Sequence, residues 1–289
     1  MLEFFGPEVR LSDIDVAALT AYESARRRHP AVRDGTRIAS QAILHEIHAL
    51  SSLFKRAVAE GRAEVNPVPR LPQKPEVERR EAEYLEIGEA ARLLKAAGDL
   101  DGGRAGRRVR FLRPLLATFL LTGGRAQEVL GLLREDVDLV NGQVHFRPNR
   151  YRALKRPRHR RWIPLWPQLR EILTLHLDIR SEGALIFPSA SGGMIKDLRS
   201  ALASAVKRAK IEKLVTPHTF RHTYAATRLQ TMDHGQPVSA YTVMRELGHS
   251  SLSLIEKTYG HLLEVRVRSA VVEYREAKVV PFRKRAEGK

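Results

Sequence analysis

The sequence predicts a mainly α-helical protein with one small antiparallel sheet, an α+β pattern arranged in two domains. Three observations predict this. Apolar residues recur at helical spacing in many segments, Asn141-Gly142 separates two short alternating segments, and four prolines lie within residues 66–75. Because proline removes backbone donors and stops helices, the proline cluster predicts an extended linker between two folded parts.

Helices are predicted on both sides of this linker. The first 65 residues are expected to be helical, with the clearest apolar periodicity over residues 37–60. In the second part, a buried helix over 108–122 is expected to end at the tight break Gly123-Gly124. The other helices of this part are predicted over residues 86–97, 125–134, 167–179, 195–210, 217–231, 239–247 and 251–266.

The small sheet is predicted within residues 138–165. Residues 138–147 alternate weakly in polarity around Asn141-Gly142, the strongest short hairpin signal, and residues 159–165 form a further strand. Residues 150–158 would then be the connecting turn. Near the end of the chain, residues 278–282 predict a short strand before a basic tail.

Composition excludes several function classes. Of the 289 residues, 43% are hydrophobic and none is cysteine, which excludes wholesale disorder, thiol chemistry, Fe–S clusters and cysteine-rich zinc sites. The sequence has no apolar run of 18 residues and does not start with a basic-then-apolar segment. We therefore expect neither a membrane span nor a secretory signal, and a cytoplasmic protein associated with the nucleoid.

Positive charge is concentrated in the second part of the chain. The formal net charge is +17, and residues 144–170 hold eight Arg, one Lys and no acidic residue. A stretch of this kind favours a polyanion, above all nucleic acid, although a basic proteome or a solvated charged surface would give the same composition. The predicted phosphate-binding residues are Arg150, Arg152, Arg156, Arg158, Arg160 and Arg161.

The segment Thr216–His222 could bind an anion. Thr216 suits a helix N-cap and Pro217 the first helical position, and His218 and Arg221 share a helix face. The competing interpretation is a packing histidine and a surface arginine. His218 and His222 have the spacing of a zinc-protease helix, but Thr219 stands where that chemistry needs Glu, so no metal is predicted.

Two further motifs carry residue types able to do chemistry. Gly123-Gly124 brings Arg125 to a helix start, with Glu128 on the same face. Gly248-His249 separates two predicted helices, and Tyr259 follows ten residues after His249. Taken alone, Tyr259 at this spacing is a core tyrosine, and Arg125 with Glu128 is a weak surface pair.

Together these motifs resemble the tyrosine recombinase (phage integrase) family over roughly residues 80–265. The family pattern is an Arg in a T-G-x-R-x-x-E context, a hairpin Lys, H-x-x-R, an L-G-H motif and a following Tyr. The resemblance implies a helical core-binding domain over 1–65 that is truncated at its start, and a Pro-rich linker over 66–78. It further implies a catalytic domain over 79–268 and a tail over 269–289 that packs on a neighbouring protomer.

The resemblance also implies a mechanism without metal or cofactor. Tyr259 would attack a DNA phosphate to form a 3′-phosphotyrosyl bond, and Arg125 and Arg221 would stabilise the transition state. Lys155, the only lysine of an unusually Arg-rich hairpin, would protonate the leaving oxygen. His218 would manage the tyrosine proton, His249 would bind a phosphate oxygen, and Glu128 would support Arg125.

The implied partner is double-stranded DNA carrying specific sites, with a homotetramer on paired sites and accessory DNA-bending proteins as further partners. Three alternatives stay open. A catalytically inactive relative would bind DNA without cleaving it, and a type IB topoisomerase-like enzyme would relax supercoils as a monomer. A basic RNA-binding scaffold is the third, although the sequence has no aromatic stacking motif for it.

Overall fold

A computed structural model of the chain describes residues 1–29, 38–73, 75–76, 82–102, 111–152, 160–179, 183–262 and 269–275. Its helices are α1 (Leu2–Phe5), α2 (Val16–Arg28), α3 (Ser40–Ala59), α4 (Ile87–Asp101), α5 (Leu112–Thr122), α6 (Ala126–Leu130), α7 (Pro167–Ile179), α8 (Arg199–Arg208), α9 (Pro217–Leu229), α10 (Ala240–Leu247) and α11 (Leu252–Tyr259). Its strands are β1 (Val137–Asp138), β2 (Gln143–Phe146), β3 (Arg161–Pro164), β4 (Met232–Asp233) and β5 (Gln236–Pro237). The predicted class, mainly α with small antiparallel sheets, is confirmed.

The chain forms two compact units, Met1–Arg80 and Glu81–Lys289. In the first unit, α3 buries the apolar stripe Ile43, Ile47, Leu50 and Phe54, which recurs at helical spacing. Val68 and Leu71 are buried in the same core. The prediction of an extended linker beginning at residue 66 is therefore wrong for its first residues, because the apolar side chains between the prolines pack onto α3's core.

Helix α5 lies at the centre of the second unit and is buried along almost its whole length. It ends, as predicted, at Gly123, whose φ of 60° is left-handed. A Cβ there would lie 2.7 Å from the Tyr224 ring, so only glycine fits this turn. The helix predicted over 125–134 is shorter than expected, because α6 ends at Gly131 and a 3-10 turn follows at Arg134–Asp136.

The main sheet has three antiparallel strands in the order β1-β2-β3. The β1–β2 hairpin turns at Asn141-Gly142 as predicted, with Gly142 at φ 69° and the Asp138 carboxylate accepting from Val140 and Asn141 amides. Strand β3 pairs with β2 so that Phe146 faces Arg161. This pairing holds Arg161 against the interior of the domain.

A second, two-stranded ribbon was not predicted. The helix expected over 217–231 ends at Leu229, and β4 pairs with β5 through His234-Gly235, both with positive φ. These are the backbone angles of a type I′ turn, which Asn-Gly signals strongly and His-Gly signals only weakly. The sequence therefore held only a weak signal for this ribbon.

The segment 269–275 packs on its own unit. Val272 and Tyr274 are buried in the core, and Gln168 exchanges two hydrogen bonds of 2.8 Å with the Tyr274 backbone. The prediction of a separate tail from residue 269 is wrong for this part, because these apolar side chains complete the core. The strand predicted over 278–282 lies outside the described residues. Within the described part of the chain, no helix is long and apolar enough to cross a membrane.

Candidate active site

Two turns and the first half of one helix of the second unit bring the candidate residues together. The α5–α6 turn carries Arg125, the first half of α9 carries His218, Arg221 and His222, and the α10–α11 turn carries His249. Each position follows from local sequence. Gly123 and Gly248 adopt left-handed φ and end their helices, and Thr216 caps α9 by accepting from the amides of His218 and Thr219.

Arg221 joins two of these turns. Its side chain is buried, and its two terminal nitrogens donate to the Gly123 carbonyl at 2.9 Å and the Leu247 carbonyl at 2.5 Å. Burial, followed by the positive charges of Arg125 and Arg161, lowers the pKa of Arg221. A guanidinium stays protonated nevertheless, so the site holds a fixed positive charge in a dry environment.

Arg125 is the more accessible of the two arginines, with its side chain 36% exposed. It donates to the Glu128 carboxylate and to the Gly248 carbonyl, both at 3.2 Å. The Arg125 amide also donates to Glu128 at 2.8 Å. Arg125 is therefore held from both ends while part of its guanidinium faces solvent.

Glu128 is buried between two arginines. Arg161 binds it in a bidentate manner at 2.9 and 2.7 Å and also donates to the Glu246 carbonyl at 2.6 Å. Burial by itself would raise the pKa of Glu128, but the hydrogen bonds and charge of Arg161 outweigh it and lower that pKa to about 2. Glu128 is hydrogen-bonded to Arg125 and Arg161, and the charge of Arg221 lies nearby. One carboxylate among three guanidinium groups leaves the site with a net positive charge, which suits a phosphate.

A second buried carboxylate holds the α10 side of the site. Glu246 accepts from the Tyr224 hydroxyl at 2.7 Å and from Arg228 at 3.0 to 3.2 Å. Arg228 also donates to Asp233 on β4, two bonds of 3.0 Å. This network links α9, α10 and the unpredicted ribbon, and so fixes the helix whose end delivers His249.

Tyr259 lies at the end of α11 and is 2% exposed. Its hydroxyl hydrogen-bonds Nδ1 of His222. The His222 ring in turn meets the His218 ring edge-on, with centroids 4.7 Å apart. The partner of the tyrosine hydroxyl is therefore His222, and the contact of His218 is with His222.

Burial decides the protonation of these groups. Burial, with smaller contributions from His218 and Arg221, lowers the pKa of His222 to about 4. Burial likewise raises the pKa of Tyr259, although the charge of Arg221 opposes the shift. At neutral pH both partners are uncharged, and the phenol keeps its proton.

His249 faces the same cluster of charges. Burial and the charges of Arg221, Arg125 and Arg161 lower its pKa to about 3. Its Nδ1 is buried and has no hydrogen-bond partner among the described residues. A buried polar atom left without a partner is costly, which marks His249 as a candidate functional residue.

The predicted site residues divide into four groups. Arg125, Glu128, Arg221, His218, His249 and Tyr259 come together as described above. Lys155, Arg156 and Arg158 lie outside the described residues, and Arg150 and Arg160 are exposed.

The structure differs from the predicted phosphate contacts of Arg152 and Arg161. Both side chains are buried and hydrogen-bonded to groups within the protein. Arg152 donates to the Arg147 carbonyl at 2.9 Å and to Asp136 at 3.3 Å. Strand alternation could have indicated this for Arg161. It shares a face with buried Ile163, while Trp162 between them is exposed.

His222 is the functional candidate that sequence reasoning missed. In the sequence its spacing from His218 suggests only a metal ligand, and no group of three metal-ligating side chains occurs among the described residues. Its place one helical turn after His218 was visible in the sequence, but its contact with Tyr259 depends on the packing of α11 against α9.

The chain matches known proteins. Residues 84–266 match the model of the phage integrase family. The tyrosine recombinase XerD of Staphylococcus epidermidis is 26% identical over 246 residues, covering 81% of this chain and 76% of that protein.

Two solved structures share the fold. A XerH site-specific recombinase bound to palindromic difH substrate in a post-cleavage complex has a TM-score of 0.67 at 20% identity, over 91% of this chain and 73% of that one. A lambda integrase tetramer bound to a Holliday junction has a TM-score of 0.61 at 20% identity, over 88% and 68%.

Proposed function

The chain belongs to the phage integrase family, that is, to the tyrosine recombinases, and from this premise we propose that it is a site-specific DNA recombinase. It would cut and rejoin DNA strands through a 3′-phosphotyrosyl intermediate. The observation that carries the proposal is the meeting of two fixed arginines, a histidine with an unsatisfied buried nitrogen and a hydrogen-bonded tyrosine in one site. A protein that only binds DNA needs neither the tyrosine nor the buried arginine.

The proposed chemistry assigns a role to each group. Tyr259 attacks the scissile phosphate, and its covalent bond conserves the energy of the phosphodiester for rejoining. Negative charge then grows on the non-bridging oxygens, where Arg125 and Arg221 donate from fixed positions. Losing one such donor costs roughly 3–4 kcal/mol of transition-state stabilisation in other oxyanion sites. His249 would bind a phosphate oxygen, and Glu128 would hold Arg125.

The leaving 5′-oxygen needs a proton, and we assign Lys155 to supply it. An arginine of the same turn would be a poor donor, because its pKa lies above 12. Exposed Arg150 and Arg160, with Arg156 and Arg158, would bind the DNA backbone.

A covalent-adduct assay tests this function. Nicked duplexes tiled across the DNA flanking the gene would be incubated with wild-type protein and with Tyr259→Phe. We expect a protein–DNA adduct that survives denaturing electrophoresis with wild type only, at equal binding by both proteins on native gels. Specific binding with no adduct from wild type would instead identify a catalytically inactive relative.

We also propose that the active assembly is a tetramer on two DNA sites, as the lambda integrase relative forms on a Holliday junction. Residues 276–289 would pack on the neighbouring protomer. A deletion that tests this must start after Arg275, because Val272 and Tyr274 belong to the core. The truncated protein should bind a single site normally and fail to pair two sites; normal recombination by it would contradict this role.

A further inference from the structure

We propose that His222, rather than His218, accepts the proton of Tyr259 when the tyrosine attacks phosphorus. The inference rests on the proposed function and adds a catalytic residue to it. The geometry points to His222 because its Nδ1 is the hydrogen-bond partner of the Tyr259 hydroxyl. A general base must lie within hydrogen-bond reach of the proton that it removes.

The hydrogen bond sets the direction of proton transfer. Tyr259 is protonated and donates, so Nδ1 of His222 carries a lone pair and the ring's own proton sits on Nε2. As the tyrosine oxygen bonds to phosphorus, its proton moves to Nδ1 and His222 becomes an imidazolium. The phosphorus–O5′ bond breaks, and the leaving oxygen takes a proton from the general acid. Rejoining reverses each transfer.

The surroundings of His222 suit this role. The ring is half-buried on α9, His218 lies edge-on against it, and the charge of Arg221 reaches it. Both neighbours act to keep the imidazole neutral before DNA binds, which leaves its lone pair available but also makes it a weaker base. A bound phosphate adds negative charge beside Arg221, which makes the imidazolium easier to form at the moment it is needed.

His218 has a different place. It is the third residue before Arg221 on the same helix, and its ring contacts His222 rather than the tyrosine hydroxyl. We therefore assign His218 to positioning the His222 ring. Experiment can therefore separate the two histidines. Loss of His222 should remove acceptance of the tyrosine proton, whereas loss of His218 should only weaken it.

The test measures single-turnover adduct formation by His222→Asn. Asparagine can hold the Tyr259 hydroxyl in place of Nδ1 but cannot accept its proton at neutral pH. We expect the rate to fall by about 10²–10⁴-fold, the usual share of a general base, and the acidic limb of the wild-type pH profile to vanish. His234→Asn is the matched control: it is exposed in the β4–β5 turn at φ 48°, which Asn tolerates, and should keep the wild-type rate.

A substrate in which sulfur replaces the bridging 5′-oxygen shows which step a variant has lost: activation of the tyrosine or protonation of the leaving group. A thiolate leaves without a proton, so a variant lacking the general acid, Lys155→Ala, should recover on it, whereas His222→Asn should stay slow. Recovery of His222→Asn on sulfur, or a wild-type rate on the normal substrate, would overturn the role of His222. If wild type itself forms no adduct, the proposed function fails, which is a distinguishable result.

A readout independent of cleavage is the tautomer of His222. Nitrogen-15 NMR of the free protein should show Nε2 protonated and Nδ1 unprotonated, and Tyr259→Phe should shift the Nδ1 resonance. A His222 ring protonated on Nδ1 could not accept the tyrosine proton and would contradict the inference.

Discussion

The two halves of the candidate site are built in opposite ways. The arginine half, comprising Arg125, Arg161, Arg221 and Glu128, is fixed by many bonds to backbone carbonyls and to one buried carboxylate. The tyrosine half, comprising His218, His222 and Tyr259, is joined by one hydrogen bond between two neutral groups and by two ring contacts.

This difference matches what each half must do. Donors that stabilise a transition state work best when they need no rearrangement, which favours a rigid frame assembled before DNA arrives. Groups that exchange a proton must instead change charge during the reaction. The fixed arginines also act on the proton-exchanging groups, because their charges help to keep the nearby imidazoles neutral.

The largest expected effect comes from replacing the charged carboxylate of Glu128 by a neutral amide. Glu128→Gln leaves Arg161 buried without its counter-charge, which should lower the free energy of unfolding by about 3–5 kcal/mol. Both tryptophans, Trp162 and Trp166, lie in the second unit, so their fluorescence during urea unfolding reports on that unit.

The matched control for this variant is Glu135→Gln. Glu135 pairs with Arg147 at 2.6 Å, but its side chain is 68% exposed, so the loss should be about 0–1 kcal/mol. Equal losses for the two variants would show that the arginine half is not the rigid frame described above.

Arg221→Lys tests the rigid half in catalysis. A lysine keeps the charge but cannot bind two carbonyls and a phosphate with one planar fork. Single-turnover adduct formation should fall by about 10²–10³-fold, the cost of one lost oxyanion donor. Arg125 makes two longer side-chain hydrogen bonds and is partly exposed, so Arg125→Lys should lose less. A reversed order would break the comparison between the two arginines.

The contrast also explains what the sequence could and could not predict. Arg125, Arg221, His249 and Tyr259 sit in short motifs whose glycines and caps fix local backbone, so their residue types and spacing were informative. The burial of Arg152 and Arg161 depends on Asp136 and Glu128, which approach from other elements. The contact of His222 with Tyr259 spans 37 residues, and no local pattern encodes it.

Acid should affect two histidines of the site and its buried carboxylate in windows that start at different pH. Unfolded histidines bind protons below about pH 6.5, whereas His222 and His249 resist protonation in the folded state down to about pH 4 and 3. The unfolded state therefore binds more protons, and stability should fall as pH drops from about 6.5 through that range. Glu128, with its pKa lowered to about 2, adds a loss only below about pH 4.5.

Urea unfolding of wild type and variants between pH 7 and 3.5 checks this order. Below about pH 6.5, replacing His249 by Asn should reduce the slope of unfolding free energy against pH by the equivalent of up to one bound proton. The control His234→Asn should leave this slope unchanged. A stability curve of His249→Asn parallel to that of wild type would mean that the arginine half does not hold this histidine neutral.

The smallest expected effect separates arginines that serve the fold from arginines that can meet DNA. Arg150 and Arg160 are exposed, whereas Arg152 is buried against Asp136. Each phosphate contact adds about 0.9 to the slope of log affinity against log salt concentration, so Arg150→Gln and Arg160→Gln should each reduce that slope by about this amount. Arg152→Gln should lower stability and leave the slope unchanged. If Arg152→Gln alone reduced the slope, the guanidinium would have to leave Asp136 when DNA binds, and its burial in the free protein would not identify it as an arginine that serves the fold.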